Sequence, residues 1–182
     1  MITPDPKLKD ILPIIEKRSD RMCACLNQAV EVARPDGLLE SNHLLYAALE
    51  ALEIEPQILY KWGLNPDNVL DEITYFRRGA TQFYGEPPFH GEFQEIKVGM
   101  RLPQLLAAAA EWANLQGVLA APEHLLVAIL LGSPTKGGKL TIGSMADPIL
   151  ALNDLDFNRD AGRAREFAAL VLPDLAAVIE KK

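Results

Sequence analysis

The sequence predicts an all-α fold built from two tandem helical halves, and three observations carry that expectation. Apolar residues recur at helical spacing, as in the stripes Met22, Leu26, Ala29, Val30, Ala33 and Leu102, Leu105, Leu106, Ala109, Ala113. The same block also occurs twice, about 80 residues apart. Leu26, Ala29, Glu31 and Ala33 lead to Gly37 and His43-Leu44-Leu45, whereas Leu106, Ala109, Glu111 and Ala113 lead to Gly117 and His124-Leu125-Leu126. Strand-like alternation, finally, persists only over residues 92–98, which read as extended linker because a lone strand has no partner.

Taken in order, the first helix of each half is expected to end before Gly37 or Gly117, where a left-handed residue closes the helix. The second helices begin with Ser41 as N-cap ahead of Leu44, Leu45, Ala48 and Leu49, and with Pro122 in the first turn ahead of Leu125, Leu126, Ile129 and Leu130. Short third helices are expected over about 55–62 and 147–153, since Ile58-Leu59 and Ile149-Leu150 head corresponding blocks. The fourth helix of the first half starts at Asn65-Pro66-Asp67, a cap followed by proline and an acid at the positive end of the dipole. Asn158 is expected to cap its counterpart, which runs through Phe167 and Leu170, and Pro173 opens a short tail helix. Gly79, Gly85, Pro87, Pro88 and Gly91 mark a linker over about 79–100, and residues 132–146 form an expected surface loop. The stretch through Arg18, including Pro13, has no counterpart and no assigned role.

A chain of 182 residues buries roughly 70% of its unfolded surface on folding, enough for a core without metals or disulfides. Hydrophobic residues make up 49% and charged ones 24%, an ordinary globular balance. No apolar run approaches the roughly 18 residues of a membrane span, and the first residues lack the basic and apolar regions of a signal peptide. The expected location is cytoplasmic, with no membrane partner. A net charge of −7 repels polyanions, so nucleic acid is not an expected partner. Cys23 and Cys25 point about 200° apart on a helix and cannot bridge each other, so both read as packing thiols.

Candidate chemistry is sparse. Gly132 and Gly137 would need lysine at 138 to make a phosphate-binding loop, but that residue is glycine, and Lys139 precedes Leu140 instead of serine or threonine. Glu40-x-x-His43 has the spacing of a di-iron ligand pair, yet the second half has Ala121 where a second glutamate is needed. His43 and His124 therefore read as first-turn residues that hydrogen-bond backbone groups and fix how the helices pack. Trp62 and Trp112 suit an interface anchor by type, and their helical phase suits core packing at least as well, so neither is taken as a site residue. No cofactor or metal is expected, and no catalysis of the chain's own. The alternative reading is a small helical-bundle enzyme or metal-binding protein.

The order of helix, glycine, polar stretch and His-Leu-Leu, repeated at Gly37–Leu45 and Gly117–Leu126, resembles the Clp repeat found in tandem at the N-terminus of ClpA, ClpB and ClpC unfoldases. The resemblance covers about residues 19–78 and 102–172. It implies a single domain, 1–182, of two four-helix repeats packed about a pseudo-twofold axis, similar in organisation to the ClpT accessory proteins. It further implies a protein-binding module, an accessory subunit, adaptor or decoy for a Clp-type protease, whose partners are Clp components, adaptors or substrates. The family's Thr-Glu-His appears as Ser41-Asn42-His43 and as Pro122-Glu123-His124. By resemblance Asn42 and Glu123 are the partner-binding residues. In ClpC-type domains the glutamates at these places contact phosphorylated arginine, and here only Glu123 retains the carboxylate.

Overall fold

A computed structural model describes residues 6–84, 87–135, 146, 149–150 and 160–175. Helices form where the apolar spacing places them. Helix α1 (Leu8–Ile11) and a 3-10 turn (Leu12–Ile15) bury Leu8, Ile11, Leu12 and Ile15, so the N-terminal stretch belongs to the core. Helix α2 (Asp20–Ala33) starts on Ser19, whose hydroxyl accepts the Met22 N–H at 3.1 Å, and it buries the expected stripe. A 3-10 turn (Arg34–Asp36) separates α2 from Gly37, which closes the turn at φ 68°. Strand β1 (Leu38–Leu39), α3 (Ser41–Glu50), α4 (Pro56–Lys61) and α5 (Pro66–Tyr84) follow. After a 3-10 turn (Phe93–Glu95) come β2 (Lys97–Val98), α6 (Leu102–Gln116) and α7 (Pro122–Leu131). Ile149 and Leu150 are helical, and α8 (Ala161–Val171) leads to a last 3-10 turn, Pro173–Leu175.

Four expectations need correction. The stretch 92–98 does find a partner: its last residues, Lys97–Val98, pair in parallel with Leu38–Leu39 of the other half. Helix α5 runs to Tyr84, past the expected start of the linker, because one glycine, Gly79, weakens a helix by about 1 kcal/mol without ending it. The N-cap of α3 is Glu40 rather than Ser41; Ser41 is already helical, and its Oγ accepts the Ala146 N–H at 3.0 Å. The cap of α8 is Asp160, whose Oδ1 accepts the Arg163 N–H at 3.0 Å. Asn158, Lys139 and most of the 132–146 loop and of the 147–153 helix lie outside the described residues.

The two halves interlock through matching contacts. Leu39 pairs with Val98, and the Gly99 N–H donates to the Leu39 carbonyl at 2.9 Å. Arg18 bridges Ala120 in parallel, and the Ser19 N–H donates to the Ala120 carbonyl at 2.9 Å. The segment ahead of α6 thus lies beside the one ahead of α3, and the segment ahead of α2 beside the one ahead of α7. Helices α3 and α7 pack together at the centre, α3 flanked by α2 and α5, and α7 by α6 and α8. Apolar side chains on every face of both helices suit that position. Trp62, following α4, packs on Phe167 of α8 with ring centroids 5.3 Å apart, and the Arg163 guanidinium lies over Trp62 at 5.2 Å. Among the described residues no helix is long and apolar enough to cross a membrane.

Burial pushes the Cys25 thiol up to about 12, with Glu123 adding to the rise, whereas Cys23 is partly exposed. Iodoacetamide at pH 8 is expected to label Cys23 and spare Cys25 in the folded protein. Peptide mass mapping reads the result, and equal labelling of both would contradict this packing of α2.

Candidate partner-binding site

Helices α3 and α7 start in the same way. The His43 Nδ1 accepts the Glu40 N–H at 3.0 Å, and the His124 Nδ1 accepts the Ala121 N–H at 3.0 Å. Each imidazole thus reaches back from the third helical position to the N-cap backbone, the place a glutamate takes in a capping box. With Nδ1 accepting, the proton of the neutral ring sits on Nε2. In His43 that nitrogen faces Asp36 Oδ2 at 2.7 Å, and in His124 it faces Gln116 Oε1 at 2.6 Å. Both rings are buried. The expectation that the histidines bind backbone groups in their first turns holds.

Protonating His124 would put a hydrogen on Nδ1 and remove the acceptor for Ala121. Burial lowers its pKa below the ordinary 6.5, outweighing the neighbouring Glu123. The folded value lies below the unfolded one, so this contribution to stability is complete above about pH 6.5 and is lost as pH falls towards the folded value. Thermal melts at pH 7.5 and 5.5 check this: the wild type is expected to lose more stability on acidification than His124→Gln.

Of the two residues picked out by resemblance, Asn42 is buried at 4% exposure, and its Oδ1 accepts the His43 N–H at 2.9 Å. Glu123 has a side chain 15% exposed and is engaged internally by Arg21. The Arg21 Nη2 lies 2.7 Å from Glu123 Oε1 and 2.7 Å from the Ala51 carbonyl at the end of α3. Its Nε also reaches Glu53 Oε1 at 3.5 Å. One guanidinium on α2 thereby joins the end of α3 to the start of α7.

Glu40 differs in kind from its counterpart Ala121. Its half-buried carboxylate faces the first N–H groups of α3, and burial raises its pKa. A Cβ on Gly99 would overlap that carboxylate, so a larger residue there would have to displace the Glu40 side chain. No family model matches this chain, and no curated protein matches it either.

Among the described residues no group of three or more histidine, cysteine, aspartate or glutamate side chains could hold a metal ion. Glu40 and His43 are both turned to the start of α3, not to a shared ligand position. At the end of α7, the Trp112 Nε1–H donates to the Gly132 carbonyl at 2.8 Å. Ser133 donates its hydroxyl to Glu111, and Thr135 Oγ1 does so at 2.9 Å, which ties the segment after α7 back to α6. Sequence reasoning missed Arg21. The available signal was that Arg21 and Arg101 stand at the same offset as the repeated blocks.

Proposed function

We propose that the chain is a non-catalytic protein-binding module of two four-helix Clp repeats about a pseudo-twofold axis. In the cytoplasm it serves a Clp-type ATP-dependent protease as accessory subunit, adaptor or decoy. The observation that supports this reading is the doubled contact at the starts of α3 and α7. A histidine caps each helix from its third position, and a parallel bridge from the other half lies directly ahead of each. The partner surface is assigned to these helix starts, with Asn42 and Glu123 at their second positions.

The test adds the protein to a Clp unfoldase–protease degrading a fluorescent substrate. A stoichiometric amount is expected to change the degradation rate by about twofold or more, upward for an adaptor and downward for a decoy. An unchanged rate at tenfold excess, with no complex on gel filtration, would overturn the proposal. A cationic partner group reaches Glu123 only in exchange for Arg21. Glu123→Gln removes the carboxylate that can bind a guanidinium in bidentate fashion, and about tenfold weaker binding is expected. Unchanged affinity would remove Glu123 from the interface.

A further inference from the structure

Arg101 is the counterpart of Arg21 in sequence, but neither carboxylate that holds Arg21 has a carboxylate at the matching position of the other half. Arg21 is held by the Ala51 carbonyl, Glu53 and Glu123. The positions corresponding to these in the other half are Gly132, Pro134 and Asn42. The Gly132 carbonyl is taken by the Trp112 Nε1–H at 2.8 Å, proline has no carboxylate, and Asn42 is neutral with its Oδ1 on the His43 N–H. The backbone register is nevertheless the same. Arg21 and Glu123 each stand three residues beyond the paired Arg18 and Ala120, and Arg101 and Asn42 three beyond the paired Val98 and Leu39. The nearby Glu40 carboxylate does not replace the missing partner: it is turned to the start of α3, against Gly99. Arg101 is partly exposed and makes no ion pair or side-chain hydrogen bond among the described residues.

We propose that Arg101 is a docking point for a carboxylate side chain of a partner protein, which supplies in trans the acceptor that Glu123 supplies to Arg21 within the chain. Beside it Met100 is 87% exposed, an apolar surface for a side chain flanking that carboxylate. The net charge of −7 repels a polyacidic segment, so the fitting ligand is one aspartate or glutamate in an otherwise neutral or basic apolar stretch. The site adds a partner chemistry to the interface proposed above and does not depend on the Clp resemblance. A negative degradation assay leaves it standing.

The probe is acetyl-Leu-Glu-Leu-amide, with the glutamine peptide as control, titrated into labelled protein while the arginine Nε–Hε resonances are followed. The Arg101 resonance is expected to respond to the glutamate peptide at about fivefold or more lower concentration than to the control. Arg101→Gln removes that resonance and is expected to reduce the Met100 methyl response to the level of the control. Glu123→Asn opens the equivalent place in the other half, so the Arg21 resonance is expected to become responsive as well. Asn42→Glu, if folded, closes the site at Arg101. Equal response to the two peptides at Arg101 would overturn the proposal, as would an Arg21 resonance that stays silent in Glu123→Asn. An undiminished Arg101 response in folded Asn42→Glu would do so too.

Discussion

Phe167→Ala is expected to lower the stability of the protein by about 3–5 kcal/mol. Phe167 is fully buried on α8, and its ring packs against Trp62 at 5.3 Å, so truncation removes both the transfer term and the aromatic contact and leaves a cavity between α4 and α8. For a chain of this length that corresponds to a fall in melting temperature of roughly 6–20 °C. Urea unfolding followed by tryptophan fluorescence measures it, and Trp62 should also become more exposed in the folded variant. A loss below about 1 kcal/mol would mean that α8 does not pack across the other half in this way.

The second large effect concerns the helix starts. His43→Leu is expected to cost about 2–4 kcal/mol, because it leaves the Glu40 N–H without its acceptor and takes the imidazole donor from the Asp36 carboxylate. His124→Leu removes the same backbone bond, but its other partner is the neutral Gln116, so about 1–3 kcal/mol is expected. The ordering is the content of the prediction: hydrogen bonds to charged groups are worth more than neutral ones. Chemical denaturation of the two variants side by side gives it, and a negligible cost in both would remove the histidines from the role of caps.

The long helices were legible because their apolar stripes are set by local spacing. Met22 to Ala33 and Leu102 to Ala113 need no knowledge of what they pack against. The start of α3 was read one residue late for a physical reason: Ser41 is a good N-cap by type, but Glu40 and the ring of His43 already satisfy the first N–H groups. The ladder was missed although the alternation over 92–98 was visible, because its partner, Leu38–Leu39, lies almost 60 positions earlier and is only two residues long. The candidate site was legible in half. The histidines could be assigned to backbone bonds from their helical position alone, and Glu123 could be singled out. That Glu123 is engaged by Arg21, 102 residues away, depends on the bridge between Arg18 and Ala120 and leaves no local mark.

Amide hydrogen exchange on the protein with and without a Clp-type unfoldase reports both whether a complex forms and where. Added protection is expected in the segments 38–44 and 99–104 and at 118–125, around the starts of α3, α6 and α7, with little change along α5 and α8. No added protection at saturating unfoldase, or protection confined to α5 and α8, would contradict the proposed interface.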